Sequence, residues 1–203
     1  MKFIALILSF LMLSLPAMAG AGKTQDPAFT FVKQTTDKGL AFLADSKISE
    51  AQKRAEFQKL LNASFDLDTI GRFALGKYWN SASPAERTEY SKLFRKMVVD
   101  VYSNRFSDYK GQKLEVLSSR AVGNDFIVAS VMRQPKGASG ADVKIDWRVR
   151  NKGAGFKIVD VIVEGVSMSV TQRSEFSSII QAGGGKVSGL IESLKKNSVV
   201  AAQ

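Results

Sequence analysis

Two pairs of acids stand at spacings that could do chemistry: Asp66 with Asp68, and Asp160 with Glu164. Two carboxylates brought together can serve as general acid and general base. Both pairs also have a plainer reading. Asp66 directly precedes an apolar-periodic segment, where a carboxylate caps a helix, and the other acids read as surface charge. Gly183-Gly184-Gly185 before Lys186 offers backbone amides for a phosphate, but no Ser or Thr follows the lysine and no strand leads into the run. It reads as a helix cap and hinge. Serines are plentiful, yet none lies in a Gly-x-Ser-x-Gly elbow. The chain has no His and no Cys. The commonest general base and the commonest zinc ligand are therefore missing, and cysteine nucleophiles, Ser-His-Asp triads, Cys/His zinc sites and disulfides are excluded. The expectation is a non-enzyme with no catalytic residue, no metal and no cofactor. A hydrolase using Ser and an acid without His is the one enzymatic alternative.

Charge narrows the partners. The 203 residues carry 29 Lys and Arg against 19 Asp and Glu, a formal charge of +10, with no block of five like charges. Nucleic acid is the usual partner of such a chain. The first residues argue against it. Lys2 is followed by an apolar run from Phe3 to Leu15, then Pro16 and Ala17-Met18-Ala19. A charged start, an apolar stretch too short to span a bilayer and an Ala-x-Ala site describe a secretion signal cleaved after Ala19. Anionic lipid headgroups or an acidic protein surface then suit the basic charge better than nucleic acid, and a solvated basic surface with no partner is the plainer alternative. The expected organisation is a signal peptide at 1–19, one domain over 20–197 and a frayed tail at 198–203, with the mature protein a monomer.

The hydrophobic periodicity places these residues on elements. Helices are expected over Pro27 to Leu43, Ser49 to Ala63 and Leu67 to Leu75, the last stopped by Gly76. Tyr78 and Trp79 fall in a short connection. Ser83-Pro84-Ala85-Glu86 is a strong helix start, with a capping Ser, Pro at the first position and Glu three residues on. That helix runs to about Phe106, with Tyr90, Leu93, Phe94, Met97, Val98 and Val101 in its apolar stripe. From Lys113 the period becomes two. Strands are expected from Leu114, over Phe126 to Arg133, over Asp142 to Arg150 and over Phe156 to Val163. In the third, Val143, Ile145, Trp147 and Val149 face one way and Lys144, Asp146, Arg148 and Arg150 the other. After Gly165, Ser167 or Ser169 caps a helix over Val166–Ala182, and a last helix covers Lys186–Lys196. The fold class is α+β: a four-stranded antiparallel meander packed against a mostly N-terminal helical layer, with C-terminal helices, enclosing an apolar pocket.

Two long blocks carry a family resemblance. Phe65–Tyr102, FDLDTIGRFALGKYWNSASPAERTEYSKLFRKMVVDVY, resembles the first hallmark of the MlaC or toluene-tolerance family: Arg72-Phe73, Leu75-Gly76, Trp79, a helix start at Ser83-Pro84, then an aromatic-rich helix. Asp160–Ile180, DVIVEGVSMSVTQRSEFSSII, is similar to the second, an Asp-x-x-x-Glu-Gly-Val-Ser core followed by Arg-Ser-Glu-Phe. The resemblance implies a periplasmic carrier that takes a phospholipid between an outer-membrane lipoprotein–porin complex and an inner-membrane ABC transporter, maintaining outer-membrane lipid asymmetry. The alternatives are a related carrier accompanying hopanoid biosynthesis and a non-catalytic interaction module without a ligand cavity.

A carrier of this kind must hide its cargo. Two acyl chains hold roughly 30 methylenes, each costing about 0.8 kcal/mol in water, so the tails need an apolar enclosure. The expected pocket walls are Phe73, Trp79, Met97, Val101, Val128, Met132, Ile145, Trp147, Val161, Val163, Val166 and Met168, each of which also suits ordinary core packing. Arg133 or Arg148 is the expected partner of the headgroup phosphate.

Overall fold

Local signals start the helices where the sequence places them. A computed structural model describes residues 26–138 and 140–200, with side chains through 196. The expected signal peptide lies outside the described residues. Asp26 accepts from the Phe29 amide at 2.7 Å and opens α1, Pro27–Ala44, with Pro at its first turn. Ser49 and Gln52 cap reciprocally at the start of α2, Glu50–Ser64, and Ser83 and Glu86 do the same for α5, Pro84–Ser103. Between them Asp66 caps α3, Leu67–Leu75, and a short α4 spans Tyr78–Ser81. Tyr78 and Trp79 are thus helical rather than a plain connection. α5 stops at Ser103, and Phe106–Asp108 forms a separate 3-10 turn.

The sheet has five strands, which corrects the expected four. β1, Lys113–Val122, β2, Asp125–Arg133, β3, Val143–Asn151, β4, Phe156–Val163, and β5, Val166–Ser167, follow one another in space as in sequence, every neighbour antiparallel. β5 occupies residues expected to begin a helix. Glu164 at φ 48° and Gly165 at φ 82° reverse the chain, so that Val166 pairs with Val163 and Ser167 with Ile162. The helix α6 then starts at Met168 and runs to Ala182, capped by Ser167, whose hydroxyl accepts from the Val170 amide at 3.1 Å. α7 covers Val187–Val200. Among the described residues no helix is long and apolar enough to cross a membrane.

Two cores result. In the helical core, Tyr90, Phe94 and Phe176 meet ring to ring, with centroids 5.9 to 6.3 Å apart. Leu75, Ile180 and Leu190 complete it at full burial. α7 packs on α5, and α6 on α3, so the C-terminal helices build this core as much as the N-terminal ones do. Gly71 lets the layers close: a Cβ there would lie 2.9 Å from the Phe94 ring, and its carbonyl accepts from the Tyr90 hydroxyl at 2.7 Å. The second core joins α1 to the sheet, with Ala28 and Val32 over Val128, Val149 and Ile158, all fully buried.

Candidate functional site

Strand pairing sorts the candidate residues by face. Val128 lies opposite Trp147, Trp147 opposite Val161, Met132 opposite Val143 and Ile145 opposite Val163. Cross-strand partners point the same way, so Val128, Met132, Ile145, Trp147, Val161 and Val163 converge on the inner face, beside Leu114 and Val143. α1 covers only part of this face. Val128, Val149 and Ile158 beneath it are fully buried, and Ile145 is 8% exposed. Leu114, Met132, Val143, Trp147, Val161 and Val163 are each only half-buried. Ser130 in their midst is satisfied internally: its Oγ donates to the Ile145 carbonyl at 2.7 Å and accepts from Trp147 Nε1 at 2.9 Å. Ser119, opposite Val128, has a buried hydroxyl without a hydrogen-bond partner. The result is an apolar strip with neither a complete protein cover nor a free hydrogen-bonding group on Ser130 or Trp147.

The other candidates sit elsewhere. Val166 pairs with Val163 at the strip's edge but is 54% exposed, and Met168 is half-buried at the start of α6. Met97 packs on the helical core, and Val101 is exposed on α5, which packs on α2, α3 and α7. Phe73 and Trp79 line an open cleft of about 410 Å³ with Thr69, Arg72, Gly76 and Asn80. A second open cleft, of about 390 Å³, lies between α2 and α5, around Asp100 and its partners Arg54 and Lys96. Neither cleft includes a sheet residue.

Arg133 and Arg148 are not brought to the strip. Each follows an inner-face residue directly, Met132 and Trp147, and successive strand residues alternate sides. Both are engaged on the outer face. Arg133 pairs with Glu115 at 3.0 Å and Asp142 at 2.8 Å. Arg148 and Arg150 clamp the buried Asp125, each at 2.6 Å. Hydrogen bonding by Arg150 holds the Asp125 carboxyl below its usual range against the opposing effect of burial, with Arg148 adding to it.

The paired acids resolve into structural parts. Asp160 accepts from the Ser167 hydroxyl at 2.5 Å, the Ser169 amide at 3.1 Å and the Val161 amide at 2.9 Å. Glu164 accepts from the Lys144 amide at 2.5 Å. Together they fasten the β4–β5–α6 junction. Asp66 is the α3 cap. Burial pushes its carboxyl up, but Thr69 and Lys152 outweigh this and hold it at about 2. Asp68 pairs with Arg95 at 2.7 Å. Arg173, in the Arg-Ser-Glu-Phe segment of the second block, places its guanidinium 5.2 Å from the centre of the Phe73 ring of the first. The two hallmark blocks therefore meet in space, which their separation along the chain conceals.

Comparison with known proteins settles the family. The MlaC protein family model matches residues 33–196. The chain belongs to the MlaC family. A Haemophilus influenzae member, named intermembrane phospholipid transport system binding protein MlaC, is 30% identical over 105 residues, which cover 51% of this chain and 49% of that protein. The match thus spans about half of that relative's length. The toluene tolerance protein ttg2D of Pseudomonas putida is 24% identical over 158 residues, 74% of this chain and 73% of its own. The fold is shared with a phospholipid-binding protein from Ralstonia solanacearum, solved in complex with a phospholipid. The TM-score is 0.72 at 23% identity, covering 86% of this chain and 98% of that one.

Proposed function

We propose that this MlaC-family chain is a non-enzymatic periplasmic phospholipid carrier. The observation that carries the reading is the apolar strip of the inner sheet face: six half-buried side chains that α1 covers only in part, in a fold shared with a protein solved in complex with a phospholipid. Acyl tails lying along Met132, Trp147, Val161 and Val163 would complete the cover that the helices leave open, with Val128 and Ile145 as the floor and Val166 and Met168 at the rim. The headgroup stays outside at the mouth, where solvent and cations meet its charge. The name of the Haemophilus influenzae relative, an intermembrane phospholipid transport system binding protein, supports the same cargo. The carrier would exchange it between an inner-membrane ABC transporter and an outer-membrane lipoprotein–porin complex. No step requires a reactive side chain, which suits a chain without His or Cys.

Solvent extraction of the purified protein followed by lipid analysis tests this. The expected result is phospholipid in stoichiometric amount. A folded protein that neither carries nor takes up phospholipid would overturn it. A second reading, an interaction module without a cavity, is favoured by the solid packing of Ala28 and Val32 on Val128 and Val149. It predicts a lipid-free protein whose strip contacts another chain.

A further inference from the structure

The first cleft has a composition unlike the strip's. Two guanidiniums stand over the Trp79 ring, Arg72 at 5.7 Å and Arg87 at 5.5 Å from its centre. Arg87 is also spent on the chain itself, donating to the Trp79 carbonyl at 2.8 Å and the Asn80 carbonyl at 3.3 Å. Arg173 stands over Phe73, and Gly76 makes room for it: at φ 59°, a Cβ there would lie 2.8 Å from Arg173 Nε. Among the described residues neither Arg72 nor Arg173 pairs with a carboxylate. Asp68 on the same helix as Arg72 is taken by Arg95, and Glu175 near Arg173 accepts from Gln172. Two cations thus stand over aromatic rings, held near them but not neutralised. Phe73 is 41% exposed, and Val170, one turn before Arg173, is 55% exposed.

Oriented arginines beside exposed aromatic and aliphatic side chains are the composition of a protein-binding surface. An open cleft does not enclose acyl chains, and a small anion alone would leave Phe73 and Val170 in water. We infer that the Arg72–Phe73–Trp79–Arg173 surface docks an acidic protein segment that carries an apolar anchor. Its carboxylates would pair with Arg72 and Arg173, and its anchor would cover Phe73 and Val170. The chain's formal charge of +10 steers such a partner toward it. This inference goes beyond the lipid reading, and its failure is distinguishable from failure of that reading.

The test is an NMR titration of the isotope-labelled protein with three probes: a synthetic peptide alternating Glu with Phe and Leu, inorganic phosphate, and phosphatidylglycerol vesicles. The expected result is that the peptide shifts the Trp79 indole and the Arg72, Phe73 and Arg173 amides, more than either other probe at equal charge. Its affinity should fall about tenfold or more in Arg72→Gln/Arg173→Gln, as for two charge-assisted contacts, and stay unchanged in Arg120→Gln, an exposed charge on β1. No peptide binding, shifts located elsewhere, an unaffected double variant, or a response to phosphate or vesicles alone would each overturn the inference. If docking fails while bound phospholipid is still extracted, the carrier reading stands without it.

Discussion

The helical core and the inner sheet face are both apolar, yet they are finished differently. Around Tyr90, Phe94 and Phe176 every ring is covered and the one polar atom, the Tyr90 hydroxyl, donates to Gly71. Burial pushes the Tyr90 phenol far above its ordinary pKa, so it stays a neutral donor. On the sheet, α1 covers only part of the inner face, and six apolar side chains remain partly exposed. Closed packing maximises stability, because each fully buried large side chain contributes about 1.5–3 kcal/mol. Leaving a strip open gives up part of that. The helical layer thus carries the stability that lets the sheet keep an uncovered face.

Substitutions separate the two regions. Phe176→Ala in the closed core should cost about 3–5 kcal/mol, read as a lowered midpoint of urea unfolding. Asp160→Ala should cost less, about 1–3 kcal/mol, because three part-buried donors at the β4–β5–α6 junction lose their acceptor. Hydrogen exchange should show Ser167 to Val170 opening locally, while the helical core keeps its protection. Asp66→Ala should cost about 1 kcal/mol, the usual size of a lost cap. Its pH dependence has a definite sign. The folded carboxyl lies at about 2, below its ordinary 3.8, so its contribution is present above pH 4 and lost as pH falls through 2. The stability gap between Asp66→Ala and the unaltered protein should close over that window. Val163→Glu on the open strip should have the smallest effect on folding, about 1 kcal/mol or less, since its side chain already meets solvent.

Where a structural feature depends on neighbouring residues, the sequence was enough. Ser83-Pro84-Ala85-Glu86 predicts the α5 start because capping involves only the first turn. The alternation of Val143 to Arg150 predicts which side of β3 faces inward. β5 escaped notice because two residues have no periodicity, and their pairing follows from Glu164 adopting a positive φ. The site was legible in part. Val128, Met132, Ile145, Trp147, Val161 and Val163 do share a face, as strand alternation allows. Met97 and Val101 look the same in sequence, but only the packing of α5 on other helices shows that they belong away from the sheet. Arg133 and Arg148 could have been placed from alternation alone, since each adjoins an inward residue. The meeting of Arg173 with Phe73 is a tertiary contact that no local pattern announces.

Native mass spectrometry of the purified protein beside its Val163→Glu variant reads directly whether the strip holds a phospholipid. The expected result is a mass increment equal to a phospholipid on the unaltered protein, and its loss from an equally folded Val163→Glu chain, because a carboxylate in the strip cannot lie against acyl tails without a large desolvation penalty. A lipid-free spectrum for the unaltered protein, after incubation with phospholipid vesicles, would contradict it. So would a variant that keeps the full lipid load.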